Sequence, residues 1–138
     1  IETVASMPVG AGRLTERFGG RERAAEERLS DMKAFMDGLL NKHLKHAHGA
    51  ADLLVATGGT ATALGVMDLL LRHPGRVDPE DKVAVSRAVR GYRLERADVK
   101  GWCKRLREMS VKERLGVPGL SRDRAAVIVA GLVILHRA

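Results

Sequence analysis

Residues Asp52 to Arg72 read DLLVATGGTATALGVMDLLLR, and the interpretation of the whole chain grows from this stretch. Asp52 to Thr57 is a short apolar run, expected as a buried strand, and Gly58-Gly59 closes it. A helix is expected from about Thr60 to Arg72. Glycines between a strand and a helix permit a tight turn and let a ligand approach the backbone, while the first helical N–H groups point at anything anionic. Thr60 can cap that helix or offer a hydroxyl donor. Gly-Gly also serves turns that bind nothing, so the motif acquires meaning only from its surroundings.

Upstream, residues 1–9 (IETVASMPV) predict a second short strand ending at Pro8, then a turn at Gly10-Ala11-Gly12 and a helix from about Arg13. From Arg21 to His48 the apolar positions Ala25, Leu29, Met32, Phe35, Met36, Leu39, Leu40 and Leu44 recur at three- and four-residue spacing, the signature of an amphipathic helix. Its basic end, with His43, His46 and His48 before Gly49, suits the negative pole of a helix and a C′ glycine. The three histidines lack the i, i+4 spacing of a helical zinc site, so no metal site is assigned to them.

Downstream, Asp78-Pro79-Glu80-Asp81 predicts a helix start with Asp78 as cap, and Gly91-Tyr92 interrupts that helix. Glu95 to Met109 predicts another helix with Val99, Trp102, Cys103 and Leu106 on one side, making Cys103 a core residue. Ser110-Val111-Lys112-Glu113 is a capping box. After Pro118-Gly119, Ser121 is expected to cap a final, largely buried helix from Arg122 to Arg137. Arg122 and Arg124 then lie in its first turn, where cations oppose the helix dipole. That placement points to an anionic ligand or an acidic partner.

Composition sets the limits. A chain of 138 residues with 45% hydrophobic and 30% charged side chains is one ordinary domain. Aromatics are only 3%, so the core must be aliphatic, which suits packed helices better than a β-sandwich. The longest apolar run, Ala125 to Leu135, is far short of the roughly 20 residues that a bilayer span needs. A single cysteine excludes an internal disulfide, and a soluble, cytoplasmic protein without membrane contact is expected. Of the net charge of +7, nearly all falls in residues 49–138, much of it between Arg87 and Arg107. Arg90, Arg93 and Arg96 are candidate contacts for a polyanion.

Four stretches, taken in order, resemble the exopolyphosphatase and guanosine-pentaphosphate phosphohydrolase (Ppx/GppA) family. They are Val9 to Phe18 (VGAGRLTERF), Ala56 to Leu64 (ATGGTATAL), Met109 to Arg114 (MSVKER) and Val117 to Gly131 (VPGLSRDRAAVIVAG). The resemblance implies an α/β, helix-rich fold with few strands: part of an actin-like ATPase (ribonuclease H-like) domain, spanning residues 1–138 as a single partial domain. It implies a phosphatase that removes terminal phosphate from inorganic polyphosphate or guanosine pentaphosphate with Mg²⁺. Gly58, Gly59 and Thr60 then resemble a cleft loop of the second domain, and Arg124 matches a family arginine beside the cleft. Arg13 and Glu16 match a supporting Arg-Leu-Thr-Glu stretch.

The family's first phosphate loop, catalytic glutamate and second phosphate loop are expected before Ile1, and a Gly-Leu-Arg-Glu-Gly segment after Ala138. No catalytic residue and no Mg²⁺ ligand is therefore assigned within the chain, which is expected to be inactive alone. Its partners are the remainder of a two-domain enzyme, a phosphate-chain substrate and, in a homodimer, a second copy. Nucleic acid is the partner of an alternative reading, in which Pro118 to Ile128 is a helix–hairpin–helix element with Ser121 at its second glycine position. A plain helical interaction module is the third.

Overall fold

The computed structural model describes residues 4–19, 26–44 and 52–138. Its elements are α1 (Ala11–Phe18), α2 (Glu26–His43), α3 (Gly59–Arg72), α4 (Lys82–Ala88), α5 (Arg96–Arg107), α6 (Val111–Arg114), α7 (Arg122–Ala125) and α8 (Ile128–Arg137). The chain is helix-rich as expected, but the strands of the expected α/β fold do not appear: among the described residues there is no strand. Residues 4–10 and 53–57 are irregular, and Val4, Leu53, Leu54 and Val55 are exposed. A strand exists through hydrogen bonds to a neighbour, and these two segments have no such neighbour among the described residues.

Helix α8 is the axis of the fold. Its sequence IVAGLVIL is apolar all round, and Ile128, Val129, Ala130, Leu132 and Val133 are buried. A helix with no polar face must be surrounded, and α1, α2, α3 and α5 pack against it. Each lends one apolar stripe: Leu14 from α1, Leu29, Met32 and Met36 from α2, Leu64 and Met67 from α3, and Trp102, Cys103 and Leu106 from α5. Polar clamps pin the rim. Arg137 donates two hydrogen bonds to Asp37, at 2.5 Å each, joining α8 to α2. Arg17 lies 4.2 Å over the Phe35 ring, joining α1 to α2.

Several element boundaries differ from those predicted. Helix α1 begins at Ala11, because Leu14 N–H already finds the Gly10 carbonyl at 2.9 Å. The cap of α4 is Asp81, whose carboxylate accepts from Val83 and Ala84, whereas Asp78 folds back on the N–H of Glu80. The capping box at Ser110 and Glu113 forms as predicted. The single helix predicted from Arg122 to Arg137 is two, because Val127 N–H bonds the Arg124 carbonyl in a tighter turn. Ser121 stands at the cap position of α7 without a side-chain cap bond. The predicted end of α2, with His46, His48 and Gly49, lies outside the described residues.

Candidate phosphate-binding site

Gly58 precedes α3 with φ 94° and ψ 180°, a backbone region that belongs to glycine. Its carbonyl accepts from Thr62, so the turn feeds straight into the helix. At the next residue, Gly59, a Cβ would fall on the guanidinium of Arg124. The arginine therefore lies directly over the glycine at the positive end of a 14-residue helix. Three predicted residues, Gly58, Gly59 and Arg124, are thus brought together from positions 65 residues apart in the chain.

A second glycine makes that approach possible. Gly119 has φ 84°, and a Cβ there would stand 2.6 Å from Val66 Cγ1 and 3.2 Å from the Met67 nitrogen. Only glycine lets the 118–120 turn lie on α3 so closely, and α7 with Arg124 comes directly after it. The half-buried Arg124 meets no acid among the described residues. A cation held against a helix N-terminus is electrostatically unfavourable, and an anion would relieve both charges at once.

Thr60, expected as a cap or hydroxyl donor at the loop, also packs against α8. A Cβ on Gly131 would stand 3.0 Å from the Cβ of Thr60 and closer still to its branches, so Thr60 packs into the gap that Gly131 leaves in α8. Arg13 and Glu16 are exposed on α1 while Leu14 and Thr15 are buried, and no hydrogen bond or ion pair joins them to the loop. Arg90 and Arg93 are exposed on the connection from α4 to α5. Arg96 is partly engaged, its Nη2 donating to the His136 carbonyl at 2.9 Å.

Among the described residues no group of three or more His, Cys, Asp or Glu side chains could hold a metal ion. Cys103 is buried, and burial pushes its thiol up, away from the nucleophilic form. No helix of the structure is long and apolar enough to cross a membrane.

Two buried polar residues escaped the sequence reading. Asp68 is only 2% exposed on α3, and its carboxylate accepts from Trp102 Nε1 (2.8 Å), Tyr92 Oη (2.9 Å) and Arg72 Nε (3.1 Å). Arg72 continues to Asp98, so one carboxylate ties α3 to α5 and to the segment before it. Burial, followed by the bond to Asp68, raises the Tyr92 hydroxyl above its ordinary value. The available signal was a lone acid in the apolar run from Ala61 to Leu71, four residues before an arginine. Arg114, fully buried, donates to the carbonyls of Leu106 (2.8 Å) and Ala125 (3.0 Å) and so holds the end of α5 to α7.

The model of the Ppx/GppA phosphatase family matches residues 1–138. The chain belongs to that family. An uncharacterized protein of Streptomyces coelicolor is 33% identical over 138 residues, covering 98% of this chain and 38% of its own length. The crystal structure of the Ppx/GppA family member from Aquifex aeolicus superposes with a TM-score of 0.78 at 28% identity, covering 99% of this chain and 40% of the other. An exopolyphosphatase from Cytophaga hutchinsonii shares the fold, with a TM-score of 0.72 at 21% identity over 95% of this chain and 40% of its own. The chain thus spans about two-fifths of the length of these Ppx/GppA relatives.

Proposed function

We propose that this chain is the helical part of the second actin-like domain of a phosphatase that cleaves terminal phosphoanhydride bonds of inorganic polyphosphate or guanosine pentaphosphate. Its task is to form one wall of the phosphate cleft. The observation that carries the reading is the Arg124 guanidinium set over Gly59 at the N-terminus of α3. There the helix N–H groups and the guanidinium can share one phosphate, the arginine forking two hydrogen bonds to its oxygens. Phosphoryl transfer depends on holding the phosphate and stabilising its charge, and this chain contributes the holding.

The attacking water, its base and the ligands of Mg²⁺ fall to the remainder of the enzyme. The described residues offer no group of three or more His, Cys, Asp or Glu side chains that could hold that ion. Arg90 and Arg93 lend further positive potential to a long substrate.

Binding of labelled tripolyphosphate to the chain tests the reading, with duplex DNA of equal charge as competitor at fixed salt. The wild type should bind, and DNA should compete poorly. Arg124→Gln should bind at least about tenfold more weakly, since a hydrogen bond to a charged group contributes about 1.5–3 kcal/mol. Equal binding by Arg124→Gln would remove the arginine from the site. Ready displacement by DNA would favour the helix–hairpin–helix alternative. That alternative needs an open backbone at the 118–121 turn, whereas Gly119 is pressed against α3.

A further inference from the structure

The two halves of the phosphate site stand on different elements. The N–H groups of Gly59, Thr60 and Ala61, which precede the first intrahelical bond at Thr62, belong to α3, and the guanidinium belongs to α7. Both can meet one phosphate only if their separation is held. One contact is placed to hold it. Arg124 is tied to Gly131 by consecutive backbone bonds, Val127 N–H to the Arg124 carbonyl (3.0 Å) and Gly131 N–H to the Val127 carbonyl (3.1 Å). Ala125, Ile128, Val129 and Ala130 between them are buried, and Arg114 fastens the Ala125 carbonyl. This rigid arm meets the start of α3 at two successive residues: Arg124 lies over Gly59, and Gly131 faces Thr60.

The second of these contacts tolerates no added atom. A Cβ on Gly131 would stand 2.6 Å from Thr60 Cγ2, 3.0 Å from its Cβ and in closer conflict with Oγ1. Two of the three staggered positions on the Thr60 Cβ thus face Gly131, and both are filled. Rotation about χ1 always leaves at least one of them filled, so no rotamer clears the space. Helix α8 is enclosed by other helices, whereas Gly59 and Thr60 are only half-buried, so the start of α3 is what would give way. Further along α3, Gly119 presses on Val66 and Met67 and fixes that part of the helix.

We propose that Thr60 and Gly131 are positioning residues for the phosphate: their contact sets how far the N–H groups of α3 stand from the Arg124 guanidinium. The proposal rests on the phosphatase reading above and adds that the site is set from α8, through a packing contact rather than through a ligand. Gly131 then acts on the anion only by way of Thr60 and the start of α3.

Calorimetric binding of tripolyphosphate at fixed salt, alongside thermal unfolding, tests this in a double-mutant cycle of Gly131→Ala with Arg124→Gln. Folded Gly131→Ala should bind about three- to tenfold more weakly than the wild type. In the Arg124→Gln background the same change should cost less than about twofold, because the separation that it disturbs no longer matters. A merely structural loss would weaken binding equally in both backgrounds. Thr60→Ser leaves a single branch, which can turn clear of the added Cβ, so combining it with Gly131→Ala should recover most of the affinity. Should Gly131→Ala not fold, Thr60→Ala, which opens the same contact from the other side, takes its place in the cycle with the same expectation. Wild-type affinity in the folded variant, equal losses in both backgrounds, or no recovery with Thr60→Ser overturns the positioning role while the Gly59–Arg124 site stands. Absence of any phosphate binding by the wild type, or indifference to Arg124→Gln, overturns the phosphatase reading instead.

Discussion

Replacing Gly59 by alanine separates binding from stability at the proposed cleft. The added methyl would occupy the space of the Arg124 guanidinium, so the guanidinium must leave. It can leave cheaply, because it is the far end of a flexible side chain and no acid among the described residues holds it. Gly59 is the first residue of α3 and does not require a positive φ, so alanine there gains up to about 1 kcal/mol of helix propensity. Stability should therefore stay level or rise slightly. Affinity should behave otherwise. Displacing the guanidinium removes one charge-assisted contact, about 1.5–3 kcal/mol, or roughly ten- to 150-fold in the dissociation constant for tripolyphosphate. Thermal unfolding and calorimetric binding on one preparation give both quantities. An unchanged melting temperature with unchanged affinity would refute the reasoning, because it would show that the guanidinium's place over the loop is incidental.

The remaining predictions concern stability. Gly58→Ala forces a side chain into the conformation at φ 94° and should cost about 1–3 kcal/mol in chemical denaturation, unlike its neighbour Gly59→Ala. Asp68→Ala strands the donors of Trp102 and Tyr92 and should cost about 3 kcal/mol, while Arg72, half-exposed, finds water instead. Arg114→Ala empties a fully buried site and leaves the Leu106 and Ala125 carbonyls without this donor, a loss of about 3 kcal/mol; Arg114→Met should recover part of it through packing. The Asp98 carboxyl is held below its ordinary 3.8, first by the Glu95 backbone N–H and then by Arg72. Its contribution is present above that pH and is lost on acidification through the lower folded value, so Asp98→Asn should flatten the acid limb of the stability profile.

How much of this could be read from sequence depends on which signals are local. Helices α2, α3, α5 and α6 were legible because their apolar spacing and caps lie within each segment, and the Ser110–Glu113 box closed as predicted. The segment from Leu53 to Val55 shows the limit. Its composition states a strand, but strand formation is a relation between two segments, and the described residues supply no partner. Thr60 shows another limit, since nothing near it in sequence announces that Gly131 would leave a gap for its side chain. Asp68 was legible only as an oddity in an apolar run, because its three donors come from Trp102, Tyr92 and Arg72 rather than from the residues beside it.

Arg124 was legible for the opposite reason: it violates a local rule. Cations in the first turn of a helix work against the dipole, by about 0.3–1 kcal/mol at exposed positions. The structure divides the predicted helix and leaves Arg124 in the four-residue α7, which has little dipole of its own; the unfavourable placement lies instead in the guanidinium's position over the start of α3, with no acid among the described residues to offset it. Two glycines make the arrangement possible, Gly59 by leaving room for the guanidinium and Gly119 by letting the preceding turn lie on α3. Neither contact strengthens the core as much as an ordinary side chain packed in the same place would. An arrangement that gives up both packing and electrostatics within the protein is accounted for when a third charge, negative and external, sits between the helix end and the arginine. Under the proposed function that charge is a substrate phosphate, and the same logic makes Arg124→Gln mildly stabilising to the free chain while it weakens binding.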